Sequence, residues 1–262
     1  SQSISALQQN ELASESDLFI YSDAPKNEQA RSDVEEIRRY IHTISGFKSV
    51  VIREREKNFG LAASIIDGVT SVVNEYGRVI VLEDDIVTST YFLRFMNEGL
   101  EKYKNEEKVF GLTGFAYPHE NKRLPSTFFV KAEGCWSWAT WARAWAHFEK
   151  NTDKLIQTFS KEMIKEFNFD NSSDFWSQVI SNKQGKINTW AIYWYATIFL
   201  KNGLYLYPRD SFVKNIGFDG SGEHCGSTSC FDVRLSLKYD DIQFESDIRE
   251  SSTARKVHID YF

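Results

Sequence analysis

Three adjacent acids, Glu83, Asp84 and Asp85, stand directly after the apolar run 79–82 in the segment RVIVLEDDIVTSTYF, residues 78–92. Neighbouring carboxylates repel one another, and keeping them partly out of water is costly unless a cation or hydrogen-bond donors compensate. A hard divalent ion, Mg²⁺ or Mn²⁺, prefers such oxygen ligands. An acidic helix start explains the same residues differently, with Asp85 capping or charging the first turn of a helix over 89–103. The residues alone leave both explanations open. Side chains alternate along an extended segment, so the three acids do not all face one ion directly.

The four apolar residues before the acids fit a strand covered on both faces, as in a parallel sheet flanked by helices. Open α/β sheets bind ligands in the crevice outside the carboxyl ends of their strands, where these acids would fall. The rest of the first half has the same rhythm. Strands are expected at 17–22, 48–52, 108–113 and 127–131, and helices over 28–43, 62–75 and 90–103. Such alternation predicts parallel pairing through right-handed crossovers. The chain opens with a helical pattern over 3–12 and reaches its first strand only at Asp17. Either the sheet begins late or a first strand is missing from it.

The second half is aromatic from Gly134 onward, with Trp136, Trp138, Trp141, Trp145 and Phe148 in close succession. Trp141, Trp145 and Phe148 fall at helical spacing and read as core. An apolar helix over 189–200 stops at Asn202-Gly203 and feeds a strand at 204–207. Residues 217–229 are rich in Gly and Ser and are expected to form a mobile loop, which in an enzyme can act as a lid. The polar residues from about Asp247 read as a loosely held tail.

A chain of 262 residues with 42% hydrophobic content can bury a sizeable core. Its formal charge of −6 argues against an electrostatic grip on nucleic acid, which needs a strongly basic face. No apolar run reaches membrane-spanning length and no basic-then-apolar leader opens the sequence, so a cytoplasmic protein is expected. Cys135, Cys225 and Cys230 are an odd set in a long chain, which argues against a secreted disulfide framework. Cys225 and Cys230 could pair, but free thiols are the expectation.

With Asp23 after the first strand, Asn58-Phe-Gly-Leu61 before a helix and Leu82-Glu-Asp-Asp85 ending another strand, the chain resembles glycosyltransferases of the GT-A fold. More narrowly, it resembles bacterial sugar transferases of capsule and lipopolysaccharide assembly, distant relatives of the Golgi N-acetylglucosaminyltransferase that starts complex N-glycans. The resemblance covers residues 17 to about 225 and is carried by VLEDDIVTSTYFLRFMN, GCWSWATWARAW and YPRDSFVKNIGFDGSGEHC. It implies one GT-A domain over 1–262, with a Rossmann-like, mostly parallel mixed sheet. Residues 1–115 would form the nucleotide-binding half, 116–230 the acceptor and sugar half, and 231–262 a C-terminal extension.

The resemblance also implies roles. Asp85 coordinates the Mn²⁺ or Mg²⁺ that bridges the donor diphosphate, with His224 completing the shell, while Glu83 and Asp84 lie near ribose and sugar hydroxyls. Asp23 accepts from the nucleobase imide, although an Asx-type turn before Pro25 accounts for it equally. Asn58 and Gly60 form the loop beside the donor, or an ordinary helix start. Trp136 or Trp138 offers a ring on which a pyranose stacks. The family often carries a catalytic carboxylate after a tryptophan at the start of the late helix, whereas here Trp190 is followed by Ala191. Glu133, Asp174, Asp219 and Glu223 are the remaining candidates for a base. The expected partners are a nucleoside diphosphate sugar and a saccharide or lipid-linked saccharide acceptor, with peripheral membrane association. A glycoside hydrolase, or a noncatalytic sugar-binding or scaffold module, is the rival reading.

Overall fold

A computed structural model describes residues 1–118, 124–219 and 231–262. Helix α1 (Gln2–Gln8) and a 3₁₀ turn (Ala13–Glu15) precede β1 (Asp17–Ser22), α2 (Arg31–Ile41), β2 (Ser49–Glu54), α3 (Gly60–Tyr76), β3 (Arg78–Val81), β4 (Ile86–Thr88), α4 (Phe92–Lys102) and β5 (Val109–Thr113). The second half contributes β6 (Thr127–Val130), β7 (Trp138–Trp141), α5 (Ala142–Trp145), α6 (Thr152–Thr158), α7 (Lys161–Phe167), α8 (Trp176–Lys183), α9 (Ala191–Leu200), β8 (Leu204–Pro208), β9 (Val213–Asn215) and α10 (Ser252–Tyr261).

This is a mixed α/β fold whose sheets are flanked by helices. The largest sheet has the order β3-β7-β5-β8-β6, and β1-β2 and β4-β9 form two further pairs. β1 and β2 are parallel, as are β5 and β8. β3, β5 and β8 share one direction, but β7 runs antiparallel between β3 and β5, and β6 runs antiparallel on the edge. The expected parallel neighbours β3 and β5 are therefore separated by a strand that arrives later in the chain. β7 fits that slot because WATW is buried on both faces. Trp141, expected on a helix with Trp145, instead ends this strand, although both are buried.

Alternation along the strands divides the core. Phe128, Val130, Tyr205, Tyr207 and Trp138 face the cluster under α3 and α9, while Phe129, Leu206, Ala139 and Trp141 face the cluster under α4. Helix α9 is apolar around its whole circumference and is correspondingly enclosed, with residues 192–198 buried. The C-terminal segment is not a loose tail. Helix α10 is capped by Ser251 and packs Ala254 and His258 into the core, with Phe262 against Tyr117, Phe169 and Phe175. Its apolar residues are few, but His258, Tyr261 and Phe262 meet aromatic rings far away in sequence. Among the described residues, no helix is long and apolar enough to cross a membrane.

Candidate active site

Strand register gathers the candidate residues. Pairing of Val81 with Trp138 and of Thr113 with Trp138 sets the segment before β7 beside the ends of β3 and β5. Pairing of Ile86 with Asn215 brings the end of β9 to the same place. Glu83, Asp84, Asp85, Glu133, Cys135, Trp136, Asn215 and Gly217 consequently converge at the carboxyl end of β3. The segment before β7 is pinned at two points. Tyr207 donates its hydroxyl proton to the Glu133 carbonyl at 2.8 Å, and Thr113 Oγ1 donates to the Trp136 and Ser137 carbonyls at 3.1 Å. Gly134 makes this approach possible, since a Cβ there would lie 2.8 Å from the Thr113 side chain.

The acidic segment turns after Glu83, whose carbonyl accepts the Ile86 N–H at 3.3 Å. Asp84 is exposed, while Glu83 and Asp85 are half-buried. From outside, Ser3 of α1 donates to the Asp84 carbonyl at 2.5 Å. The Asp85 carbonyl accepts the Ile216 N–H at 2.8 Å, and Asn215 Oδ1 accepts the Gly217 N–H at 2.7 Å. A Cβ at Gly217 would stand 2.5 Å from Asp85 Oδ2, so only glycine allows the chain to pass this closely.

The electrostatics are those of an uncompensated acid cluster. Burial, then the charges of Asp85 and Asp84, push Glu83 up to about 7. Burial, followed by the charge of Glu83, pushes Glu133 up to about 8. Asp85 is raised by burial and by Asp84, with the Asn215 side chain opposing. Burial, Glu133 and Glu83 hold the Cys135 thiol well above its ordinary range. Among the described residues none of the four acids forms an ion pair. Asp85 Oδ1 and Glu133 Oε2 are buried without any hydrogen-bond partner.

These residues fit a hard divalent cation. The donors are carboxylate oxygens, and one of them, Asp85 Oδ1, lacks a donor from the protein. Among the described residues no three Asp, Glu, His or Cys side chains enclose a metal by themselves. A cation bound through one or two carboxylates and completed by phosphate and water does not need such a cage.

The structure places the other expected site residues as follows. Asp23 accepts the Phe59 and Gly60 N–H groups at 2.8 Å each and the Ala24 N–H at 3.0 Å, closing the start of α3. Asn58 donates to the Ala24 carbonyl at 2.7 Å, and Gly60 has φ +71°, so this loop ties the β1 and β2 crossovers together. Trp138 is not available to a sugar. Only 1% exposed, it stacks on Trp190 at 5.0 Å, because the β7 register points it into the core. Trp136 is half-buried, edge-on to Phe115, Phe231 and Phe218. Asp174 is exposed and accepts the Ser177 N–H at 3.2 Å, capping the start of α8. Glu223 and His224, and most of the expected lid, lie outside the described residues.

Asn215 and Gly217 were not legible as site residues. Their place depends on pairing between β4 and β9, more than 120 positions apart, for which neither three-residue strand carries a local signal. No protein-family model matches the chain, and no curated protein matches it. The fold and site define a mixed α/β protein with an acid cluster at the carboxyl end of a sheet strand.

Proposed function

We propose that this protein is a metal-dependent glycosyltransferase of GT-A type, moving a sugar from a nucleoside diphosphate sugar, uridine-linked, to a hydroxyl of a glycan or lipid-linked saccharide in surface polysaccharide synthesis. The observation that carries this reading is the buried, unpartnered Asp85 oxygen within a cluster of four acids that has no cationic partner among the described residues. Asp85 would hold the Mn²⁺ or Mg²⁺, with Glu83 beside it. When bound, that ion supplies positive charge against a departing diphosphate. Asp84, exposed at the rim, is available to sugar or ribose hydroxyls, and Trp136 offers an aromatic surface to a pyranose.

Calorimetric titration with uridine diphosphate tests the reading. Binding that appears only with Mn²⁺ present supports it, and its absence under both conditions overturns it. The two half-buried, raised acids Glu83 and Glu133 favour a glycoside hydrolase as the second reading, since such enzymes use a carboxyl pair. Release of reducing sugar from glycosides without nucleotide or metal would establish that alternative.

A further inference from the structure

We infer that Glu133 is the general base that takes the proton from the acceptor hydroxyl, so that the sugar is transferred with inversion. This rests on the glycosyltransferase reading and names the residue that completes it. The position after Trp190, where the resemblance leads one to look for a carboxylate, holds Ala191 at the start of α9. Among the described acids of the site, the proposed function already assigns the others to the metal or to the donor. Asp85 is packed against Gly217, Glu83 lies beside it, and Asp84 is exposed at the rim.

Glu133 shares a buried, unpartnered carboxylate oxygen with Asp85, but it lies on the segment before β7, outside the acidic turn. Its backbone is fixed by the Tyr207 hydroxyl at 2.8 Å, and among the described residues none donates to its buried Oε2. An acceptor oxygen kept from water with no donor is costly, and it persists where a ligand supplies the donor. A sugar hydroxyl is such a donor. In the reaction, the acceptor O–H proton passes to Glu133 Oε2 as the acceptor oxygen bonds to the anomeric carbon. The bond from that carbon to the phosphate oxygen breaks, and its electron pair leaves on the diphosphate. One displacement inverts the anomeric configuration.

The test compares wild-type protein with Glu133→Gln, using UDP-glucose, UDP-galactose and their N-acetyl forms with Mn²⁺ and a panel of p-nitrophenyl glycosides. The expected result is an inverted product. Glu133→Gln should bind uridine diphosphate and Mn²⁺ with wild-type affinity but turn over roughly 100-fold to 10,000-fold more slowly, the usual range for a lost base. Glu133→Ala, checked for an unchanged melting temperature, should regain turnover with added formate or azide, which a purely structural role would not permit. Retained configuration, full turnover by Glu133→Gln, or wild-type protein that binds nucleotide but turns over no donor would each overturn the assignment. Failure of wild-type protein to bind uridine diphosphate with Mn²⁺ would instead overturn the glycosyltransferase reading beneath it.

Discussion

Asp85 shows how one residue can be both a burden on the fold and its point of use. Burial and Asp84 raise its carboxyl, which means that its ionised form is disfavoured where it sits. Replacement by Asn keeps the shape and removes the charge. Asp85→Asn should therefore melt no lower than the wild type while its Mn²⁺-dependent affinity for uridine diphosphate drops at least about tenfold, since even outer-shell changes at metal sites cost that much. Calorimetry and thermal melting on one preparation would measure both, and unchanged affinity would sink the metal assignment. Gly217 makes the complementary case. A methyl group there would meet Asp85 Oδ2 at 2.5 Å, so Gly217→Ala should cost about 1–3 kcal/mol by overpacking and weaken metal-dependent binding in parallel. The acids were legible in the sequence because three charges after an apolar run are unusual. The glycine that must face them was not, because a close approach between distant segments leaves no local trace.

Among the elements, those with strong periodicity behave as their residues dictate. The strand expected at 17–22 is β1, and α3, α4 and α9 fall within two residues or so of their expected bounds, because apolar spacing, glycine stops and long uniform runs act locally. The elements that escaped detection are short or irregular. α6, α7 and α8 have seven or eight residues each, and β4 and β9 have three. β7 was hidden inside an aromatic block whose spacing mimics a helix. Helix α10 was missed for another reason: its polar face is what the sequence displays, and its anchoring rings lie elsewhere in the chain. Phe262→Ala removes ring contacts to Tyr117, Phe169 and Phe175, all with centroids 5.2–5.4 Å away. Urea unfolding should show a loss of about 2 kcal/mol, reduced from a fully buried Phe because this ring is only half-buried. No measurable loss would mean that the C-terminal helix does not hold this part of the core.

At the scale of the whole molecule, the acid cluster links stability to pH and to metal. Glu83 and Glu133 start from an ordinary value of 4.5 and reach about 7 and about 8 in the fold, so the folded protein holds protons that the unfolded chain has released. Stability from this source is complete below about 4.5, declines as pH rises, and is lost above about 8. Between pH 5 and pH 8.5 the metal-free protein should lose stability, read as a falling melting temperature, at about 1.4 kcal/mol per pH unit for each of the two groups until it ionises in the fold, and Glu133→Gln should flatten the decline. A flat or rising wild-type profile would contradict the electrostatic account. Mn²⁺ should stabilise most at the alkaline end, where the acids are ionised, by roughly 2.7 kcal/mol at a concentration 100 times its dissociation constant. Equal stabilisation at pH 5 and pH 8 would speak against carboxylate binding. By itself, the sequence determined the alternating first half, the apolar late helix and the acidic strand end, because each depends on side chains a few positions apart. Tertiary structure alone decided that β7 enters between β3 and β5, that Glu133 joins the acids while Asp174 caps a helix, and that Trp138 is core. Those outcomes depend on which distant backbones exchange hydrogen bonds and which side chains are thereby cut off from water.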